Sequence, residues 1–340
     1  MPDPVAWSDA SLPAVSLEEL EAVAGLMVRR DRKYLVTDRQ LATLLAQLAP
    51  GTRVLEIDGR RSFDYSSTYF DTPEATCYYL TARRRRRRFK VRTRQYGPGG
   101  PVFLEVKTRG PRGITVKDRV GTLATPTDAF SVAGASLGGA FRPASPLATV
   151  LEGDGASWMA DSPRPRPGAP RGASRPGAAS PASPASPLSP AALAASPVTL
   201  AASPVTPELP ELDDATALDV ALGVALERGA AVPEWADFWP AVEVRYRRTT
   251  LLLPDGGRAT IDTDVVWGPP GEPGTGVTGL VILETKTPGP ATSLDRAAWA
   301  LGLRPQPLSK FGVAMASTHR DLASANRWHR VVRRCEGSVA

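Results

Sequence analysis

Two periodicities alternate along this chain. Leu41, Leu44, Leu45 and Leu48 fall at helical spacing. In front of them Thr37-Asp38-Arg39-Gln40 has the spacing of a capping box, and Pro50-Gly51 behind them stops the helix. A short strand over 31–36 precedes that helix. Runs over 67–71, 83–96, 102–108 and 114–120 read as strands, separated by Gly/Pro turns such as Gly97-Pro98-Gly99-Gly100. Further on, 217–228 reads as a helix ending at Gly229, followed by strands over 241–253, 258–266 and 280–287 and a helix near 293–301. Antiparallel strands with a few helices predict an α+β fold.

Between the two groups of elements the pattern lapses. Thirteen of the fifty residues from 161 to 210 are proline, and Ala, Ser, Gly and Thr supply most of the rest. Such a stretch cannot bury enough apolar surface to offset its ordering entropy, so an extended, disordered linker is expected. Neither flanking segment holds enough apolar strand residues for a sandwich of its own. The expected organisation is an N-terminal arm (1–28), a first half-domain (29–150), the linker (151–211), a second half-domain (212–320) and a C-terminal tail (321–340). Residues 17–27 suit a short amphipathic helix, and Trp328 with its neighbouring arginines suits a partner-binding tail or a solvated helix.

The strands carry charge where a core would carry leucine. Positions two apart share a face of a strand. In the 83–96 run the even positions Arg84, Arg86, Arg88, Lys90, Arg92, Arg94 and Tyr96 form an unbroken polar row, against Phe89, Val91 and Thr93 on the other face. From residue 88 onward this predicts an inward-facing basic row, whereas 83–87 suits a solvated run. The same parity joins Glu105 with Lys107, Lys117 with Arg119, Tyr246 with Arg248, Arg258 with Asp262, and Glu284 with Lys286. A core tolerates such faces only if they line a common solvated cavity. A closed antiparallel barrel with a polar interior meets that requirement. Arginine matches phosphate oxygens bidentately and lysine acts as a compact charge, so a chain of phosphates is the expected occupant. The few carboxylates then make sense as ligands for Mg²⁺ or Mn²⁺ bridging phosphate oxygens.

Composition sharpens this picture. The 41 basic and 35 acidic residues leave a net charge of +6, but residues 83–119 alone hold fourteen Lys/Arg against Glu105 and Asp118. That concentration favours a specific polyanion site over a generally adhesive surface, and disfavours nucleic acid as the main partner. Only six of the basic residues are lysines: Lys33, Lys90, Lys107, Lys117, Lys286 and Lys310. Every one lies on an expected strand or in Leu308-Ser309-Lys310-Phe311, and none in the arm, linker or helices. No apolar run approaches the roughly 18 residues that span a bilayer, and Asp3, Asp9 and Glu18 follow Met1 in place of a basic, then apolar leader, so a cytoplasmic location is expected. Cys77, Cys335, His319 and His329 offer neither a zinc cluster nor a disulfide framework.

At these residues the sequence resembles the VTC domain, the polyphosphate polymerase catalytic domain of the vacuolar transporter chaperone complex, within the CYTH-like triphosphate tunnel fold. The matching pieces are Arg32-Lys33-Tyr34, the 67–72 and 89–96 strands, Phe103-Leu104-Glu105-Val106-Lys107, Lys117-Asp118-Arg119, Tyr246-Arg247-Arg248-Thr249, the 258–264 strand, Leu283-Glu284-Thr285-Lys286 and Ser309-Lys310-Phe311. The resemblance implies an antiparallel β-barrel tunnel with flanking helices that binds ATP and polyphosphate. It assigns catalytic phosphate contacts to Lys33, Arg92, Arg94, Lys107, Lys286 and Lys310. Further phosphate binding falls to Arg88, Lys90, Lys117, Arg119, Tyr246, Arg248, Arg258 and Ser309. Glu284 is implied as the principal ligand of Mn²⁺ or Mg²⁺, with Glu105 as a weaker candidate that could instead pair with a tunnel arginine. The implied reaction moves the ATP γ-phosphoryl group to a polyphosphate end. A tunnel hydrolase of triphosphates and a non-catalytic polyanion-binding module remain alternatives. Asp31 stands where many relatives carry glutamate, the long insertion is not a family hallmark, and no SPX region accompanies the domain.

Overall fold

Side-chain alternation decides which face of each strand is wet, and the computed structural model shows where those faces lead. It describes residues 12–24, 29–109, 115–123, 211–212, 214–233, 237–277, 279–322 and 327–336. Among these, the chain forms β1 (Ala14–Val15), α1 (Leu17–Ala24), β2 (Arg30–Thr37), α2 (Asp38–Leu45), β3 (Arg53–Leu55), β4 (Ser62–Asp71), α3 (Thr76–Ala82), β5 (Phe89–Tyr96), β6 (Val102–Arg109), β7 (Thr115–Leu123) and β8 (Glu211–Leu212). There follow α4 (Asp214–Glu227), β9 (Trp239–Leu252), β10 (Arg258–Gly268), β11 (Thr275–Gly276), β12 (Leu280–Thr287), α5 (Ser293–Ala300), α6 (Lys310–Thr318) and α7 (His329–Glu336). The expected linker over 161–210 lies outside the described residues.

One sheet contains strands from both halves of the chain, in the order β2-β12-β10-β9-β4-β5-β6-β7-β8. The pairing of β4 with β9, Ser62 opposite Thr249 through Asp71 opposite Trp239, joins the two halves directly. Among the described residues no pairing links β2 back to β7. The barrel expected to be closed is therefore a strongly curled sheet, open along one seam. The curl still brings β2 across to β6, because Lys33 and Lys107 act on each other electrostatically.

The outer face of the curl is the apolar one. Tyr34, Val36, Leu251, Ala259, Ile261, Val281 and Leu283 point outward from β2, β9, β10 and β12 and pack beneath Leu41 and Leu44 of α2 and Leu294 and Ala298 of α5. Both helices start with a capping box, Thr37 with Gln40 and Thr292 with Asp295. The fully buried Asp295 does more than cap. It accepts from the Tyr34 hydroxyl at 2.6 Å, the Thr285 hydroxyl at 2.7 Å and Arg32 at 3.2 Å, tying β2, β12 and α5 together. Burial and this carboxylate push the Tyr34 phenol well above its ordinary pKa.

Two segments, 76–88 and the tail around Trp328, depart from the sequence expectation, whereas the N-terminal arm forms a short helix over Leu17–Ala24. The strand expected from Arg83 begins at Phe89. Residues 76–82 are instead helical, and Arg84 turns the chain with φ +56° before Arg88 folds back onto the Arg85 carbonyl at 2.7 Å. The helix is anchored by the buried Asp71 carboxylate, which accepts the backbone N–H groups of Thr72, Cys77 and Tyr78 at 2.7–2.9 Å. Burial, opposed by those three bonds, raises Asp71 to about 7. Within the N-terminal arm, Val15, Leu20 and Ala24 pack against Leu55 and Leu252. Within the tail, Trp328 is not a solvated or partner-seeking side chain: it is 1% exposed, against Tyr78 and over Gly312.

A β-carbon on Gly312 would stand 2.4 Å from the Trp328 ring, so only glycine admits this helix crossing. Gly312→Ala is expected to destabilise the protein by about 1–3 kcal/mol through overpacking, read as a lower denaturation midpoint with an unchanged m-value. An unaltered midpoint would show that Trp328 is not held there.

Candidate functional site

The inner face encloses a cavity of about 760 Å³ into which all six lysines open. On β5, Phe89, Val91 and Thr93 are buried on the outside while Lys90, Arg92 and Arg94 point inward. The neighbouring strands repeat this with Lys107 on β6, Lys117 and Arg119 on β7, Tyr246 and Arg248 on β9, Arg258 on β10, Glu284 and Lys286 on β12 and Lys33 on β2. Ser309, Lys310 and Arg88 complete the set. Of the catalytic, phosphate-binding and metal candidates assigned from the sequence, only Glu105 is absent from the wall.

Glu105 lies just behind it, 1% exposed, and both its oxygens are engaged. Oε2 accepts from Arg92 Nη2 at 2.6 Å and Nε at 3.0 Å, while Oε1 accepts from Lys117 at 3.1 Å and Arg119 at 3.4 Å. Burial would raise its pKa, but Arg92, Arg94 and Lys117 hold it well below the usual carboxylate range. Its donor capacity is spent on cations of the protein. Asp262, which sequence parity placed beside Arg258 without giving it a role, plays the same part on the opposite wall. It takes a bidentate pair from Arg248 at 2.6 and 2.9 Å and a contact from Lys310. Against the effect of burial, these two cations hold Asp262 down to about 2.

Glu284, unlike Glu105 and Asp262, faces the cavity itself, as does Asp31. Oε1 of Glu284 stands 3.0 Å from Lys33 and its Oε2 3.3 Å from Lys286. Burial lowers the charge on Lys33, yet Glu284 and Asp31 outweigh it and raise this ammonium above its ordinary pKa. Lys286 goes the other way, pushed by burial, Arg248 and Arg258 down to about 7 in spite of Glu284. Lys107 is likewise lowered to about 7 by burial and by Arg92 and Lys33, and no carboxylate among the described residues pairs with it. Lys90, also depressed by burial and by Lys107, donates to Ser309 Oγ at 2.8 Å. That oxygen also caps α6 through the Gly312 N–H, which leaves the Ser309 proton free to donate into the cavity.

Aromatic rings separate the cations. Tyr246 stacks on Tyr65 at 5.3 Å, with Arg248 and Lys310 over its ring and Arg94 donating to its hydroxyl at 3.1 Å. Tyr69 accepts from Arg92 at 3.1 Å. Tyr69 was matched only as a member of the 67–72 strand and Tyr65 lay outside it, although parity with Ser67 puts both on one face.

No group of three or more His, Cys, Asp or Glu side chains converges among the described residues. The donor set fits a hard divalent cation with Glu284 as a protein ligand and phosphate oxygens and water filling most of the remaining positions, as is usual for Mg²⁺.

Among solved structures, a putative adenylyl cyclase from Hippeastrum, described as having a dominant triphosphatase activity, is 12% identical at a TM-score of 0.37, covering 86% of this chain and 97% of that one. Putative adenylate cyclases from Vibrio parahaemolyticus (12% identity, 92% and 98% coverage, TM-score 0.30) and Bacillus halodurans (10%, 81% and 86%, 0.33) are also similar. No curated protein matches in sequence. A family model does: residues 28–134, the stretch that runs from β2 through β7 and brings Lys33, Lys90, Lys107 and Lys117 to the cavity, match the VTC domain.

Proposed function

We propose that this chain is a metal-dependent polyphosphate polymerase that moves the γ-phosphoryl group of ATP onto the end of a polyphosphate chain held in the cavity. The observation that carries this reading is the length of the cationic wall. Lys90, Arg92 and Arg94 alone span about 13 Å of strand, and the pairs Lys90–Lys107 and Arg258–Lys286, on separate parts of the sheet, both line the same cavity. A wall of that extent suits a chain better than a single triphosphate.

In the reaction a terminal oxygen of the chain forms a bond to the γ-phosphorus as the bond from that phosphorus to the β–γ bridging oxygen breaks, and ADP departs. The transition state is loose and its charge sits on the equatorial oxygens, so positioning and charge neutralisation suffice. Arg92, Arg94, Lys107 and Lys286 supply the charge. Ser309 donates a hydrogen bond, and Glu284 would hold a Mg²⁺ or Mn²⁺ ion that neutralises phosphate oxygens. No histidine or cysteine lines the cavity among the described residues, in keeping with direct transfer. Lys33 and Lys286 pin the Glu284 carboxylate on either side and so fix its orientation.

Incubated with ATP and Mn²⁺, the purified protein should yield a ladder of long phosphate chains on a gel. Release of orthophosphate alone would make it a hydrolase. Glu284→Gln should lower turnover by about 100-fold or more while tripolyphosphate still binds; turnover at the wild-type level would remove Glu284 from the reaction, and a wild type that binds polyphosphate without turnover would be a binding module. Lys286→Ala and Arg94→Ala should also abolish turnover, with a melting temperature equal to or above wild type, since each relieves like-charge repulsion. Finally, phosphate binds the protonated form of Lys107, whose pKa in the empty cavity is about 7. Affinity for tripolyphosphate should therefore fall as pH rises above about 7, and Lys107→Arg should flatten that fall. An identical pH profile in the arginine variant would remove Lys107 from the binding wall.

A further inference from the structure

The two ends of the cavity differ in chemistry. At the end carrying Arg88, Lys90 and Arg109, no carboxylate belongs to the wall among the described residues. At the other end the wall continues past Arg258 onto an apolar shelf made by Leu17 of α1, Ile57 and Phe63, with Glu21 and Asp64 at its edge. Leu17 is 45% exposed, an unusual position for a leucine on a cationic cavity. Ile57 and Phe63 rest on the small core of Val15, Leu20 and Leu55, which holds the shelf rigid from behind.

A bare phosphate chain gains nothing from such a surface, and Glu21 and Asp64 repel it. A nucleoside does gain: its base has an apolar face, and its amino and hydroxyl groups donate to carboxylates. The shelf also joins the cationic wall without a gap. Phe63 stands directly opposite Arg248 on the neighbouring strand, a cross-strand separation of about 5 Å. Tyr65, two positions further along the same face of β4, carries Arg248 at 5.0 Å and Arg94 at 5.5 Å above its ring. Arg60 lies over the Phe63 ring at 5.9 Å, so a base stacking on Phe63 takes the ring's other face or displaces this guanidinium.

We propose that this apolar mouth seats the base and ribose of a nucleoside triphosphate, with Phe63 as the stacking platform, so that the triphosphate enters the cationic wall at Arg248 and Arg94. The proposal rests on the nucleotide-dependent reading given above and adds a direction to it. The nucleotide enters at the α1 end, and the phosphate chain occupies the arginine-rich end.

The test compares calorimetric binding of ATP and of inorganic tripolyphosphate by the full-length protein and its Phe63→Ala and Leu17→Ser variants. Loss of a base–aromatic contact should weaken ATP about tenfold in Phe63→Ala and less in Leu17→Ser, with tripolyphosphate affinity unchanged within about twofold. Leu17 is exposed, so its variant decides the matter if Phe63→Ala lowers the melting temperature. Equal weakening of both ligands, or of neither, overturns the nucleoside seat while leaving turnover of ATP by the wild type intact. A wild-type protein that neither binds nor turns over ATP overturns the underlying reading as well.

Discussion

The structure is organised around like-charge repulsion confined to one cavity. Six lysines and several arginines face each other across a space of about 760 Å³, where the effective dielectric is far below that of water and each unpaired charge is costly. Three carboxylates make this tolerable, and each is shared. Glu105 serves Arg92, Lys117 and Arg119; Asp262 serves Arg248 and Lys310; Glu284 serves Lys33 and Lys286. Two of the three are saturated by protein cations and form part of the wall. Glu284 faces the cavity from between Lys33 and Lys286.

The apolar half of the protein follows from that arrangement. A sheet that turns its polar face inward must bury its other face outside, and α2 and α5 cover it over the common cluster of Tyr34, Leu251, Ile261 and Leu283. Their position is set by Asp295, which caps α5 and receives hydrogen bonds from Tyr34 of β2 and Thr285 of β12. At the far side of the cavity α6 enters with Ser309 and Lys310 at its first turn, and Gly312 lets it pack against Trp328. The inner cations therefore depend on outer contacts that never touch them.

Much of this was legible in the sequence because strand parity is a strict rule. The alternation of Phe89, Val91 and Thr93 with Lys90, Arg92 and Arg94 needs no tertiary knowledge to interpret, and the capping box at Thr37 is local chemistry. What parity does not encode is distance across the sheet. Glu105 and Glu284 look alike in sequence, each two positions before a lysine, yet one is spent behind the wall and the other faces the lumen. The beginning of β5 was missed because six successive arginines carry no periodicity, and because the signal for α3 is Asp71, a residue that acts through backbone N–H groups six and seven positions away. Trp328 was misjudged because its partner, Gly312, offers no side chain to advertise the contact.

The choice between lysine and arginine has a physical logic in this cavity. Arginine keeps its charge under any conditions a protein meets, whereas lysine can shed a proton when burial and neighbouring cations make the charge expensive. Lys90, Lys107 and Lys286 are all depressed in that way. The arginines Arg92 and Arg248, by contrast, are each locked to a carboxylate that compensates them permanently. An empty cavity thus carries less charge than its composition suggests, which lowers the cost of folding it. A polyanion binding there would have to restore those protons, so part of its binding free energy would go to protonation and its affinity would fall with rising pH. A wall built from arginine alone would repel itself whenever it stood empty, and one built from lysine alone would lack the fixed bidentate pairs that set its shape.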